Sequence, residues 1–170
     1  MGNKEPLSMI PPSPSVDVEV LERTDEYVVA AWRRLLMLVW RGDATALGIE
    51  RSRALFDEWS KTKPGGAAFL IVFPNRRPEP PDEKTREAMQ RTARFPAERL
   101  KGMATLFESE GFIAASIRAV MMRLAALSGQ DVPNTFGNAT TAAAWAAMRL
   151  SDPTITALKL NEAINVARKH

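Results

Sequence analysis

LKGMATLFESEGFIAASIRAVMMRLAALSG, Leu100 to Gly129, decides the fold class of this chain. Met103-Ala104-Thr105-Leu106-Phe107 is a short apolar run of strand length. Glu108-Ser109-Glu110-Gly111 makes an acidic turn, and a long striped helix is expected from Phe112. Strand, tight turn and helix in that order is the unit from which α/β sheets are built. In the helical part, Ile113, Ile117, Val120, Leu124 and Leu127 form one stripe, widened by Met121 and closed by Ser128-Gly129. A stripe at that spacing reads as core. The turn is the candidate loop site, Glu108, Ser109 and Glu110, yet two glutamates do not cradle a phosphate and supply no nucleophile. Gly111 is expected to permit the tight turn through a positive φ.

Upstream, Val16, Val18 and Val20 alternate with Asp17 and Glu19 at the period of a half-buried strand. Thr24-Asp25 turns the chain into Glu26 to Trp32, and Arg33-Arg34 interrupts before Leu35 to Trp40. Strands so closely linked predict an antiparallel meander. Gly42-Asp43-Ala44-Thr45 caps a helix expected from Ala46 to Lys61, with Ile49, Ser52, Phe56 and Trp59 inward and Leu55 flanking. Ala67 to Phe73, AAFLIVF, has the continuous apolar character of a central strand covered on both faces. Pro74 to Pro81 is a proline loop. A helix over Asp82 to Arg94 follows, with Glu87–Arg91 and Arg94–Glu98 spaced for ion pairs on a solvated face.

Downstream, Val132 to Phe136 fits a short edge strand that tolerates Pro133. Thr140 and Thr141 open an alanine-rich helix with Trp145 and Met148 expected to face inward. Asp152-Pro153 then reads as a helix start. Ala157, Leu160, Ile164 and Ala167 fall at helical spacing, with Ile155 and Leu158 beside them and Arg168 and Lys169 at the end. Two readings of this last helix stand side by side. Either its apolar side, with Leu158, Leu160, Ile164 and Arg168 as candidate interaction residues, docks on a second subunit or a partner, or it packs back on its own domain.

The residue inventory narrows the chemistry. At 170 residues, 45% hydrophobic and 25% charged, the chain is large enough to bury one core without staples. It has no cysteine, which removes disulfides, thiolate nucleophiles and thiolate metal sites. Its one histidine, His170, stands at the last position and is not expected to be held in fixed geometry. The commonest general base and metal ligand is thereby taken out, and no metal or cofactor is expected. Twenty-three basic residues against 20 acidic ones, interspersed and without aromatic ladders, argue against nucleic acid. No run approaches the roughly 20 apolar residues of a membrane span. MGNKEPLSMIPPSPS lacks the apolar core of a signal peptide, so a cytoplasmic home is expected. Residues 1–15 read as a disordered Pro/Ser-rich tail, residues 16–150 as an α/β domain, and residues 151–170 as a C-terminal amphipathic helix.

Four segments carry a family resemblance: VWRG at Val39 to Gly42; AAFLIVF with its proline loop and arginine-bearing helix; Glu110-Gly111-Phe112 with Ala114-Ala115 and Arg118; and FGNATTAAAW at Phe136 to Trp145. From about Tyr27 to Trp145 the chain resembles STAS-like domains of myxobacterial and related bacterial genomes, relatives of the anti-sigma-factor antagonists. The resemblance implies a mixed sheet of about four to six strands with helices packed against it. It also implies a non-enzymatic regulatory, scaffold or protein-interaction module, working with a protein partner or by self-association. In the antagonists a serine or threonine before a helix is phosphorylated. Here the loop PNRRPEPPDEKT offers only Thr85, and Ser109 sits between two glutamates that would repel a phosphate.

Two other functions fit less of the sequence. A carrier of a small apolar ligand or lipid would take its walls from Trp32, Trp40, Phe56, Trp59 and Phe112. A carboxylate-based enzyme would draw on Glu108 and Glu110, with Asp82 or Glu83 from the neighbouring loop, since strand ends are where α/β sheets keep their sites.

Overall fold

A computed structural model of the chain describes residues 16–76, 79–92, 94–108, 115, 119 and 134–170. The expected tail (1–15), the Gly111 turn and the stripe from Ile113 to Leu127 lie outside the described residues, as do Ser109, Glu110 and Phe112.

The fold is α/β, built on a six-stranded mixed sheet in which spatial order follows chain order. Strands β1 (Glu19–Arg23), β2 (Tyr27–Trp32) and β3 (Leu35–Trp40) form the antiparallel meander. Strands β4 (Ala67–Val72), β5 (Leu100–Leu106) and β6 (Asn134–Phe136) then add in parallel to β3. Helix α1 (Ala46–Ser60) links β3 to β4, and α2 (Glu83–Thr92) lies between β4 and β5. Helices α3 (Ala139–Leu150) and α4 (Ala157–Ala167) follow β6 and pack against each other.

Strands β2 and β3 are buried at every position because the sheet is covered on both sides. Alternate residues therefore serve two cores. Tyr27, Val29, Leu36, Leu38 and Trp40 join Phe56 of α1 and Phe69 of β4 on one face. Val28, Ala30, Met37 and Val39 join the apolar stripes of α3 and α4 on the other. The runs are uninterrupted in sequence for that reason.

Local chemistry sets the boundaries. Thr45 caps α1, its hydroxyl accepting from the Gly48 N–H at 3.2 Å and donating to Glu26 at 2.9 Å. The β2–β3 turn is Arg33-Arg34, and Arg33 takes a left-handed φ of 54°, as two-residue hairpin loops require. Arg34 beside it donates to the carbonyls of Gly65 and Gly66, each at 2.7 Å, tying the hairpin to the turn before β4.

Several sequence expectations need correction. Val20 is 36% exposed and Val18 is buried, because β1 begins at Glu19 and its pairing with β2 is irregular between Val20 and Glu22. Strand β5 starts at Leu100, three residues early, since Leu100 and Gly102 already pair with Ala67 and Ala68. Helix α2 ends at Thr92, so Arg94 and Glu98 fall beyond it and do not form the expected pair, whereas Glu87 and Arg91 do at 3.6 Å. In α3, Trp145 is buried but Met148 is 68% exposed. The last helix does not begin at Asp152-Pro153. The Asp152 carboxylate accepts from the Thr154 N–H and hydroxyl instead, and Thr156 caps the helix by accepting from Lys159.

Of the two readings of that helix, packing on its own domain is the one found. Leu160, Ala163, Ile164 and Ala167 are fully buried within the core facing β2 and β3. Val16 donates its N–H to Glu162 at 3.2 Å, which fixes the start of the described chain to the same helix.

Candidate functional site

Parallel strands β3, β4 and β5 all end at one edge of the sheet, and antiparallel β2 begins there. A cleft of about 360 Å³ opens at this edge, beside the C-terminal end of α4. Its floor is apolar: Val28 of β2, Val39 and Trp40 of β3, Val72 of β4 and Ala167 of α4. Its rim is polar: Arg41 follows β3, Asn75 follows β4, Glu108 follows β5, and Arg168 and His170 follow α4. Carboxyl ends of parallel strands are the common place for sites in open α/β sheets, because the chain leaves the sheet there and loops can converge.

The rim residues hold one another. Arg168 pairs with Glu108 at 3.0 Å, both partly buried. Arg41 donates to the main-chain oxygen of His170, and Arg23 approaches the His170 ring Nδ1 at 2.9 Å. Arginine only donates, so Nδ1 is the acceptor in that contact. The proline loop is tied down nearby: Asp43 accepts from Arg76 at 3.0 Å and from the Glu79 N–H at 3.0 Å. Phe73 and Phe107, from the ends of β4 and β5, meet edge to face at 6.2 Å beneath these loops.

The two candidate sets drawn from the sequence contribute one residue each. Glu108 of the loop site meets Arg168 of the interaction set. Ser109 and Glu110 lie outside the described residues. Leu160 and Ile164 are core side chains and present no surface, and Leu158 is 78% exposed on α4. His170 is held between two arginines, contrary to expectation, because α4 lies along β2 and β3 and delivers its end to the strand edge. Sequence reading missed Arg41, Asn75 and Arg23. For the first two the signal was available in their position, directly after β3 and three residues after β4.

The other expected groups are placed elsewhere. Asp82 accepts from the Thr85 N–H at 2.8 Å as the cap of α2, and hydrogen bonding from the Thr85 hydroxyl first and its N–H second holds the Asp82 carboxyl below the usual carboxylate range. Glu83 stands in the first turn of the same helix. Trp32 belongs to the α3–α4 face, whereas Trp40, Phe56 and Trp59 belong to the α1–α2 face. These four aromatics therefore do not converge on one cavity.

Comparison with family models, curated proteins and solved structures finds no match to this chain. Among the described residues no three acidic or histidine side chains gather as a metal site, and no helix is long and apolar enough to cross a membrane.

Proposed function

We propose that this chain is a non-enzymatic regulatory or scaffold module of the STAS-like type, acting through a protein partner. The observation that carries the reading is the state of the charged groups at the strand edge. Glu108 is engaged with Arg168, while Arg41 and Arg23 are engaged with His170. A general acid or base must reach a substrate proton with a free lone pair or proton of its own. Groups locked to each other serve recognition and shape better than bond breaking.

The sheet agrees with the coarser part of what the resemblance implies, a mixed sheet of up to six strands with helices packed against it. The lipid-carrier alternative loses support because Trp32 lies on the opposite face of the sheet from Trp40, Phe56 and Trp59. The cytoplasm remains the compartment proposed for it.

Affinity purification from the native host, read by mass spectrometry, tests the module. A specific protein should co-purify in a fixed ratio, and native mass spectra of the purified chain should show no added lipid mass. A bound lipid without any protein partner would replace the module with the carrier.

A further inference from the structure

The end of the molecule opposite the cleft gathers cations together with exposed apolar side chains. Helix α3 ends there, since Arg34 at the tip of the β2–β3 hairpin donates to the Leu150 carbonyl at 3.3 Å. Helix α4 begins there, because its other end is the one at the cleft. Strands β4 and β5 start at the same end. In the turn before β4, a Cβ at Gly65 would lie 3.3 Å from the Arg34 guanidinium, and one at Gly66 would lie 2.9 Å from Cε of Lys101. Arg149 covers Gly102, the residue after Lys101, its Cγ 3.5 Å from a Cβ built there. Arg33, Lys101, Arg149 and Lys159 are all exposed, and none has a carboxylate within 4.0 Å among the described residues. Of the described carboxylates at this end, Asp57, Glu58 and Asp152 are paired with Arg53, Lys61 and Arg34, which leaves Glu98. Met148 and Leu158, 68% and 78% exposed, stand next in sequence to Arg149 and Lys159.

We propose that this end of the molecule docks on an anionic lipid surface, its cations against the headgroups and Met148 and Leu158 entering between them. The proposal goes beyond the module reading and does not depend on it. Charge decides the sign of the partner, and the arrangement decides its kind. The four cations come from a hairpin tip, a strand start and two helix ends, a broad front rather than one pocket. A fluid bilayer can bring an anionic headgroup under each of them, whereas a folded protein would need carboxylates matched in position to all four. Each basic residue near such a surface adds attraction, and apolar side chains at the headgroup boundary add to it by burial. A second copy of the chain is the wrong partner, because a two-fold contact through this end would set cation against cation.

The test is co-sedimentation of the full chain with vesicles of phosphatidylcholine containing about 30% phosphatidylglycerol, at about 50 mM salt, where exposed charges are weakly screened. Binding should saturate with lipid and be absent on pure phosphatidylcholine. Arg33→Gln with Arg149→Gln should weaken it about tenfold or more. Met148→Ser with Leu158→Ser should weaken it about threefold or more, through the apolar part alone. Lys84→Gln with Lys169→Gln removes the same charge from exposed positions at the cleft end and should leave binding unchanged. All six side chains are exposed, and unchanged thermal unfolding of each variant, read by circular dichroism, shows that the fold is kept. Equal binding to neutral and anionic vesicles would overturn the proposal. So would an equal loss in the Lys84 and Lys169 pair, which would make net charge the cause rather than this end. If the chain ignores the vesicles but binds poly-L-glutamate in a manner that Arg33→Gln with Arg149→Gln abolishes, this front serves an acidic protein and the lipid surface falls.

Discussion

On one face of the sheet the core is made of rings. Phe56 of α1 stacks on Phe69 of β4 at 5.6 Å and meets Phe95 edge-on at 5.2 Å, while Tyr27 and Trp40 pair at 5.6 Å beside them. On the other face the helices contribute mainly alanine: Ala139, Ala142, Ala143 and Ala146 from α3, Ala163 and Ala167 from α4. Rings bury a large area each, so α1 grips the sheet through few side chains. Alanines bury little apiece but let two helices settle closely on the strands and on each other. The first face is sensitive to single side chains, and the second to the presence of whole helices.

Removing α4 breaks the comparison most severely. Truncation after Leu150 strips the cover from Val28, Met37 and Val39, which are 7% exposed or less, and removes Leu160 and Ile164 from the same core. The truncated chain is expected to lose its cooperative thermal transition and near-ultraviolet circular dichroism. A folded, soluble truncation product would show that α4 is an appendage and that the alanine-rich face is stable without it.

The faces also solve one packing problem in mirrored ways. On the ring face, Gly48 of α1 admits Trp40 of β3; a Cβ at Gly48 would lie 2.5 Å from the indole and 2.9 Å from Tyr27. On the alanine face, Gly102 of β5 admits Trp145 of α3; a Cβ there would lie 2.8 Å from that indole. Overpacking of this kind costs about 1–3 kcal/mol. Gly48→Ala should lie in that range in denaturant unfolding even after alanine's advantage of about 1 kcal/mol inside a helix. Gly102→Ala should cost less, nearer ~1 kcal/mol, because it meets one ring at the edge of the core rather than two. Trp40→Leu in the Gly48→Ala background should recover part of the loss. The opposite ranking would mean that the alanine-rich face is the more tightly packed.

The sequence made one kind of feature legible and hid another. Continuous apolar runs announced β2, β3 and β4, and caps or breakers placed α1 within a residue of its bounds. Periodicity could not tell which side of a helix meets the sheet when most of its residues are alanine, so Met148 was turned inward on paper and lies exposed. It could not reveal that the stripe of α4 finds its cover within the chain, since Leu160 and Ile164 would look the same facing a partner. The cleft was half legible. Glu108 was marked by its place after a strand and Arg168 by its place on the last helix. Their meeting, and the convergence of Arg23 and Arg41 on His170, depends on the sheet order, which local pattern does not encode.

The smallest effect tests the ring face through its one tyrosine. Tyr27 is 2% exposed, and its hydroxyl donates to Glu22 at 2.6 Å. Burial first, and then that hydrogen bond to a carboxylate, push the phenol up to about 12 from an ordinary 10.0. Glu22 moves the other way: the hydrogen bond from Arg51, with that from Tyr27 second, holds its carboxyl below the usual range. The signs give two limbs. The folded state binds the phenol proton more tightly, so Tyr27's contribution is complete below pH 10 and is lost as pH rises from 10 toward 12. Glu22 contributes above the ordinary carboxylate range, and its contribution fades as pH falls through its lowered folded value. Because there is no second tyrosine, absorbance at about 295 nm reads this phenol alone, and a free one would ionise near 10. In the native protein the rise should be delayed until alkaline unfolding or about pH 12, whichever comes first. Tyr27→Phe, which keeps the ring against Trp40, should cost only about 1 kcal/mol and should move the acid limb toward higher pH. A native phenol that titrates near 10 would show that the Glu22 contact does not persist in solution, and that the rings alone hold this face.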